Sequence, residues 1–584
     1  MDKKGGGVRV SMRAAVWAGV LGVMSLALQS GASAADAPLI KPPVYWFHVM
    51  TNINNDEATQ KVYALMERAA KAGYTGISLF DSRFLMKEFQ TPEYIAKVKK
   101  FRQKASELHL AIAGCMAPLG YGEEMLHYDI NLVEGMPVRN AVFVAKEGKL
   151  VPFDPDVHLT NGNFENWKGD APANWDIDDA GKNAFKDETV KYNDKPSLRT
   201  QEIGNSPYKH SRLIQQFKVQ PWHNYHLSVM VKTDHCTNRD IRIMPLSKNP
   251  LNWSPLPIKE TMDWTRLHIT FNSQDNTTAG IYMGTWDGRA GKMWWADVQI
   301  EPAGFVNIIR RENLPLTITS EDGKTTFEEG KDFGKIVDPG LSPSISGWHQ
   351  PPVVAIPAGS KIKDGQKVLA SFNHAITNFT SNNAAICMSE PKTYEAIKEQ
   401  VRFLKENLQP DFYFMQHDEI RQCGFDDPCA KRNLTCGQIL ADNIAKCCKI
   451  IEEGDPGKPM VVWNDMFDPF HNAKKFEDDG KTPFAMYINK GDGPWWESWK
   501  GMPKNLGVVN WNNGNVKSVK FFDGEHHQQI LSHDDPAKLA QWLDETADCN
   551  GVVGIMYTTW EDNWGPLEKY VTTAKEWMAK HPRK

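Results

Sequence analysis

Residues 413–422 read YFMQHDEIRQ, an apolar and aromatic run that passes straight into His417, Asp418, Glu419 and Arg421. The run reads as a buried strand. Two adjacent carboxylates and an arginine at its end call for either chemistry or an ion pair that closes the strand. Around it the segments alternate. A helical pattern over 391–407 leads to "DFYFMQHDE", one over 436–453 leads to "MVVWNDMF", and "LGVVNWN", "QQILSHDD" and "GVVGIMYTTW" follow.

The same order stands at the other end of the chain. "PVYWFHV" is strand-like, and the next segment puts Val62, Leu65, Met66, Ala69 and Ala70 on one helical face with Gly73 as a stop. "GISLFDS", a helix over 92–109 and "LAIAGCMAP" come next. Three strands here and five after residue 390 make eight, the number a (β/α)8 barrel of TIM type needs. The sequence therefore predicts an α/β chain. Between 157 and 302 the pattern changes to short alternating strands such as "RLIQQFKV", "YHLSVMVKT", "TRLHITFN" and "AGIYMGTW", which predicts an inserted all-β sandwich of jelly-roll type. The expected organisation is 1–35 signal peptide, 36–145 first part of the barrel, 146–305 sandwich, 306–376 strand-rich connector and 377–584 second part of the barrel. The strand near 367–375 fits either the barrel or its neighbour.

The 584 residues exceed what one core usually organises. Lys and Arg number 67 against 72 Asp and Glu, with no long run of either sign, so nucleic acid is not an expected partner. Lys3, Lys4, Arg9 and Arg13 precede "AAVWAGVLGVMSLAL", and "ASA" at 32–34 supplies a cleavage site. This predicts export to the periplasm or outside the cell, with no membrane insertion once the signal is removed. Nine cysteines are an odd count for an oxidising compartment. A disulfide between Cys423 and Cys429, free thiols, or a zinc site that includes Cys436 are the open readings, and irregular spacing without a following His weighs against zinc.

Barrels of this kind carry their sites at the C-terminal ends of the strands. Candidates there are His48, Asp81, His417, Asp418, Glu419, Arg421, Trp463, Asp465, Trp511, His533, Asp534, Trp560 and Glu561. A single Asp at such a place often only caps the next helix. Carboxylates interleaved with tryptophans over several strands instead predict a sugar pocket. Glycoside cleavage needs a carboxylic acid at the leaving oxygen and a second group for the developing positive charge, and aromatic walls exclude water. An oligosaccharide or polysaccharide is the expected partner, with no cofactor for catalysis.

"HDEI" at 417–420 resembles the His-x-Gly-x-Asp-Glu strand end of glycoside hydrolase family 20, the β-N-acetylhexosaminidases, without its glycines. Trp463, Trp511 and Trp560 stand where that family carries tryptophans, and "TWED" at 559–562 is similar to its terminal Trp-x-Glu region. The resemblance implies substrate-assisted catalysis on a β-linked N-acetylhexosamine or related sugar. In it Glu419 is the acid and base, Asp418 orients the 2-acetamido group, the tryptophans wall that group and Glu561 holds hydroxyls. His417, Arg421 and His48 are further substrate-binding candidates. The chain offers His48 and Asn52 where the family has an arginine on its first strand, Tyr487 is the stand-in for a family tyrosine, and Asp465 is available as a conventional second carboxylate. "LTNGNFENW", residues 212–233 and "WWADVQIEP" resemble jelly-roll carbohydrate-binding modules. That likeness implies a structural calcium at Asn163, Glu165 and Asp297, and surface tryptophans Trp167 and Trp253 as glycan platforms.

Overall fold

Aliphatic and aromatic runs bounded by capped helices assemble into a closed barrel of eight parallel strands in this computed structural model. It describes residues 39–581 apart from 206–210, 238–239, 248–249, 253, 255, 287–289, 378–383, 476–486, 491–492, 494 and 513. The expected signal segment and Trp253 lie outside the described residues. The barrel strands are β1 (Val44–Met50), β2 (Gly76–Phe80), β3 (Ala111–Cys115), β4 (Phe412–Met415), β5 (Met460–Trp463), β6 (Gly507–Asn510), β7 (Gln529–His533) and β8 (Val552–Tyr557). They pair in chain order, and β8 closes on β1.

Helices follow most of these strands: α1 (Asp56–Ala72), α2 (Pro92–Glu107), α3 (Pro391–Phe403), α4 (Cys436–Gly454), α5 (Val516–Gly524), α6 (Pro536–Glu545) and α7 (Leu567–Lys580). Their limits follow local chemistry. The Asn55 side chain caps the start of α1, and Gly73 ends it at φ 93°, a backbone that glycine adopts without strain. Val62, Met66 and Ala69 of the expected face are buried with Thr59 and Tyr63. In α4, Thr435 and Gln438 form a capping box. The pattern expected to run to 407 leaves α-helical geometry after Phe403 and finishes in a wider turn over Leu404–Leu408. Between β5 and β6 the described residues hold a 3-10 turn at Ser498–Gly501.

Alternation along each strand divides two cores. Trp46, Ala113, Phe414, Val461, Trp463, Val509, Ile530 and Met556 fill the barrel. Tyr45, Phe47, Tyr413, Met415 and Val462 point the other way, into the layer beneath the helices.

The insertion holds two separate β units. One has a five-stranded antiparallel sheet over Ala184–Tyr192, Lys195–Gln201, Asn224–Asp234, Met262–Asn272 and Lys292–Pro302. A second sheet, of Asp176–Ile177, Ser211–Lys218, Asp240–Leu246 and Thr278–Trp286, accompanies it, and Leu213, Phe217, Leu227, Ile269, Ile281 and Trp295 share one core. The other unit corrects one sequence expectation and decides a question the sequence left open. Met136–Lys146, expected within the first part of the barrel, pairs antiparallel with Lys367–His374, and the strands of the 306–376 connector join the same sheet. Lys367–His374 thus leaves the barrel count at eight. Alternating polarity looks the same whichever sheet a strand joins, which is why the sequence left this open.

The loop disulfide is also corrected. All nine cysteines are free thiols and buried.

Candidate functional site

The strand that ends on Asp418 and Glu419 explains its own pattern. Phe414 packs inside the barrel and Tyr413 and Met415 pack outside it. Continuing that alternation, Gln416 and Asp418 line a cavity at the C-terminal end of the barrel, whereas His417 turns away to Asn443 of α4, 2.9 Å from its Nε2. Strict alternation would send Glu419 away as well. Its φ of +44° breaks the pattern, so that two consecutive carboxylates line one cavity. A left-handed backbone at a glutamate is strained, and such strain collects at functional sites.

The loop after β3 makes room for this bend and serves it. Met116 N–H donates to the Phe414 carbonyl and Leu119 N–H to that of Gln416. Gly120 then runs so close that a β-carbon there would stand 2.4 Å from the Asp418 carbonyl oxygen, so no other residue fits. Tyr121 donates its hydroxyl proton to Glu419 Oε2, and Arg421 pairs with the same carboxylate at 2.8 Å. Arg421 is buried, and its guanidinium lies 5.3 Å from the centre of the Tyr487 ring. Asp465 sits behind the pair: its Oδ2 accepts the Glu419 backbone N–H at 3.0 Å and the Asn472 amide at 2.9 Å.

The cavity has a volume of about 520 Å³. His48, Trp463, Trp511 and Trp560 line it together with Asp418, Glu419, Tyr121, Glu123 and Glu124. Trp463 closes its floor inside the barrel and donates its indole N–H to Gln416 at 2.9 Å. Trp560 stands at the mouth, 65% exposed, with its ring 6.2 Å from that of Trp463. His48 is buried against Ser78, 2.9 Å from Nδ1, and burial lowers it to about 4, so it is neutral at neutral pH.

Burial dominates the electrostatics of the carboxyls. It pushes Asp418 up to about 7, with the charge of Glu419 as the second cause. It also raises Asp465 well above the usual carboxylate range, with Asp418 next in weight. Glu124, on the short helix Glu123–Tyr128, is pushed up to about 7 by burial, and its Oε2 has no hydrogen-bond partner. The cavity thus offers proton-bearing carboxyls and aromatic faces to one ligand. Among the described residues no lysine or arginine lines it.

The structure therefore brings together Asp418, Glu419, Trp463, Trp511, Trp560 and His48 of the expected set. Arg421 and Asp465 stand behind them, while His417 and the exposed Glu561 do not line the cavity. Asp81 caps the turn that follows β2, receiving the backbone N–H groups of Ile53 and Arg83. His533 Nδ1 accepts those of Asp534 and Asp535. Tyr121, Glu124 and Gly120 went unread because the loop after β3 and the short helix that follows it carry no motif. Of the residues read as calcium ligands, Asp297 is paired with Arg266, and Glu165 with Lys195 at 3.4 Å. Trp167 is half-buried and packs against the sandwich core.

No family model matches the chain, and no curated protein matches it. Solved structures match about a quarter of it. A "Family 16 Carbohydrate Binding Module-2" is 14% identical over 24% of this chain and 97% of its own, with a TM-score of 0.19. A structure described as "CBM4 structure and function" is 19% identical over 24% and 98%, with a TM-score of 0.19. The CBM22-1 xylan-binding domain of Paenibacillus barcinonensis Xyn10C is 13% identical over 24% and 91%, with a TM-score of 0.19.

Proposed function

We propose that the eight-stranded barrel is a (β/α)8 barrel of TIM type and that the chain is an exported glycoside hydrolase acting on a β-linked N-acetylhexosamine or a related sugar. One observation carries the reading: Asp418 and Glu419, consecutive in sequence, both line one tryptophan-walled cavity at the strand ends. Sugar rings present apolar C–H faces that stack on indoles, and Trp463, Trp511 and Trp560 supply three such faces.

In this mechanism the 2-acetamido oxygen of the substrate attacks the anomeric carbon, and Glu419 passes a proton to the leaving oxygen and later takes one from water. The two carboxyls hold one proton between them; with the sugar bound it sits on Glu419, and Asp418, ionised, hydrogen-bonds the acetamido nitrogen and balances the positive charge that develops there. Tyr121 and Arg421 fix the Glu419 carboxylate, and Asp465 holds the bent backbone through the Glu419 N–H. Asp465 is then a positioning residue and no nucleophile. A second reading rests on Glu124, a carboxyl on the cavity wall with an unpartnered oxygen: a two-carboxylate glycosidase for sugars without the acetamido group.

The test is hydrolysis of aryl β-N-acetylglucosaminide and β-N-acetylgalactosaminide beside the plain glucoside and galactoside. Turnover of the acetamido sugars alone, with kcat down by about 10²–10⁴ in Glu419→Gln, supports substrate assistance. Turnover of the plain glycosides, lost in Glu124→Gln, replaces it with the two-carboxylate scheme. Binding without turnover across a broad glycan panel refutes catalysis and leaves a glycan-binding protein.

A further inference from the structure

A second cluster lies outside the cavity and shares none of its lining residues. Among the described residues, Glu134, Cys387, Asp426 and Cys429 are the group whose ligand atoms gather, all within 4.8 Å of one another and all buried. Three chain segments meet there. Glu134 ends the exit from the barrel toward the insertion, Cys387 lies on the return, and Asp426 caps the short helix Asp427–Ala430, which carries Cys429 and follows the carboxylate pair. The exit and return run side by side: Val133 bridges to Ile386, Glu134 N–H donates to the Ala385 carbonyl, and Cys387 N–H to that of Leu132.

We propose that these four side chains form a structural zinc site that fastens both ends of the inserted region to the loop after Glu419. The sulfur geometry points to an ion. Cys387 and Cys429 Sγ are 3.8 Å apart, whereas a disulfide needs about 2.05 Å. Two thiolates on a tetrahedral zinc with Zn–S of about 2.3 Å stand about 3.8 Å apart. The surroundings suit the role. Glu134 Oε1 accepts the N–H groups of Gly424 at 2.8 Å and Phe425 at 3.0 Å, which fixes the carboxylate and leaves Oε2 3.2 Å from Cys429 Sγ. Asp426 Oδ1 accepts the Cys429 N–H at 3.0 Å, and Oδ2 pairs with Arg311. A divalent ion together with Arg311 offsets most of the charge of two thiolates and two carboxylates. Binding expels the two thiol protons together with the proton that burial keeps on Glu134, leaving zinc held by two sulfurs and two oxygens. Bound thiolates also resist oxidation, which accounts for free cysteines at this point in a chain with an export-type N-terminus.

The full chain is purified from zinc-supplemented culture and its metal measured by mass spectrometry, with Cys387→Ser and Cys429→Ser beside it. About one equivalent of zinc per chain is expected, falling at least tenfold in both variants. Cobalt(II) in its place gives an intense thiolate-to-metal absorption. Since a serine variant can fail to fold, the wild-type chain is also alkylated before and after chelation. Cys387 and Cys429 should react at least tenfold faster once the metal is removed. A wild-type chain that neither retains zinc nor takes up zinc or cobalt at micromolar concentration overturns the proposal, as does a Cys387–Cys429 disulfide found by peptide mapping.

Discussion

Replacing Asp418 by asparagine removes an ionisation that the barrel end disfavours. The folded protein holds the Asp418 proton up to about pH 7, against an ordinary value of 3.8. The sign follows from linkage: between these values the native state keeps a proton that the unfolded state has released, so ionisation opposes folding increasingly as pH rises. The stability Asp418 contributes is fully present below about 3.8 and is lost as pH climbs through about 7. At ~1.4 kcal/mol per pH unit the full loss is ~4 kcal/mol, of which roughly 2–3 kcal/mol falls between pH 5 and pH 8. Asparagine has nearly the shape of the neutral acid and does not titrate. Urea denaturation of both proteins at pH 5 and pH 8 reads the effect directly. The advantage of Asp418→Asn over the wild type should grow by about 2 kcal/mol across that interval, while the proposed glycosidase activity falls by at least about 10²-fold. A stability difference constant within about 0.5 kcal/mol from pH 5 to pH 8 would show that the Asp418 carboxyl is not held protonated, and the electrostatic account of the pair would fall with it.

Trp560, 65% exposed at the cavity mouth, should be removable to alanine with less than about 0.5 kcal/mol of stability lost but with KM raised about tenfold. Trp463, 1% exposed within the barrel, should cost about 3–5 kcal/mol when truncated in the same way. Equal effects of the two on thermal unfolding would contradict the placement of either ring. His417→Ala should lose about 1–3 kcal/mol of stability with the bond to Asn443, and leave the kcat and KM of the proposed hydrolysis unchanged in the folded protein, because the imidazole faces α4.

Local pattern carried much of the architecture. The eight barrel strands fall on the eight segments read from alternation and capping, because a strand buried on both faces leaves a continuous apolar run that short-range reading detects. Met136–Lys146 was placed with the barrel for a different reason: its alternation does not say which sheet it joins. Cys423 and Cys429 invited a local bridge because they are near in sequence, yet the sulfur set 3.8 Å from Cys429 is that of Cys387, 42 residues away.

The sequence by itself determined where strands and helices lie and that Asp418 and Glu419 stand at a strand end, since these depend on neighbours a few residues apart. Only the tertiary structure decided which side chains share a volume. The Asp465 bond that holds the left-handed Glu419, the close passage of Gly120, the hydroxyl of Tyr121 and the meeting of Glu134 with Cys387 and Cys429 all join segments some forty to three hundred residues apart. Such contacts are set by the closure of the barrel and leave no periodic trace in the chain.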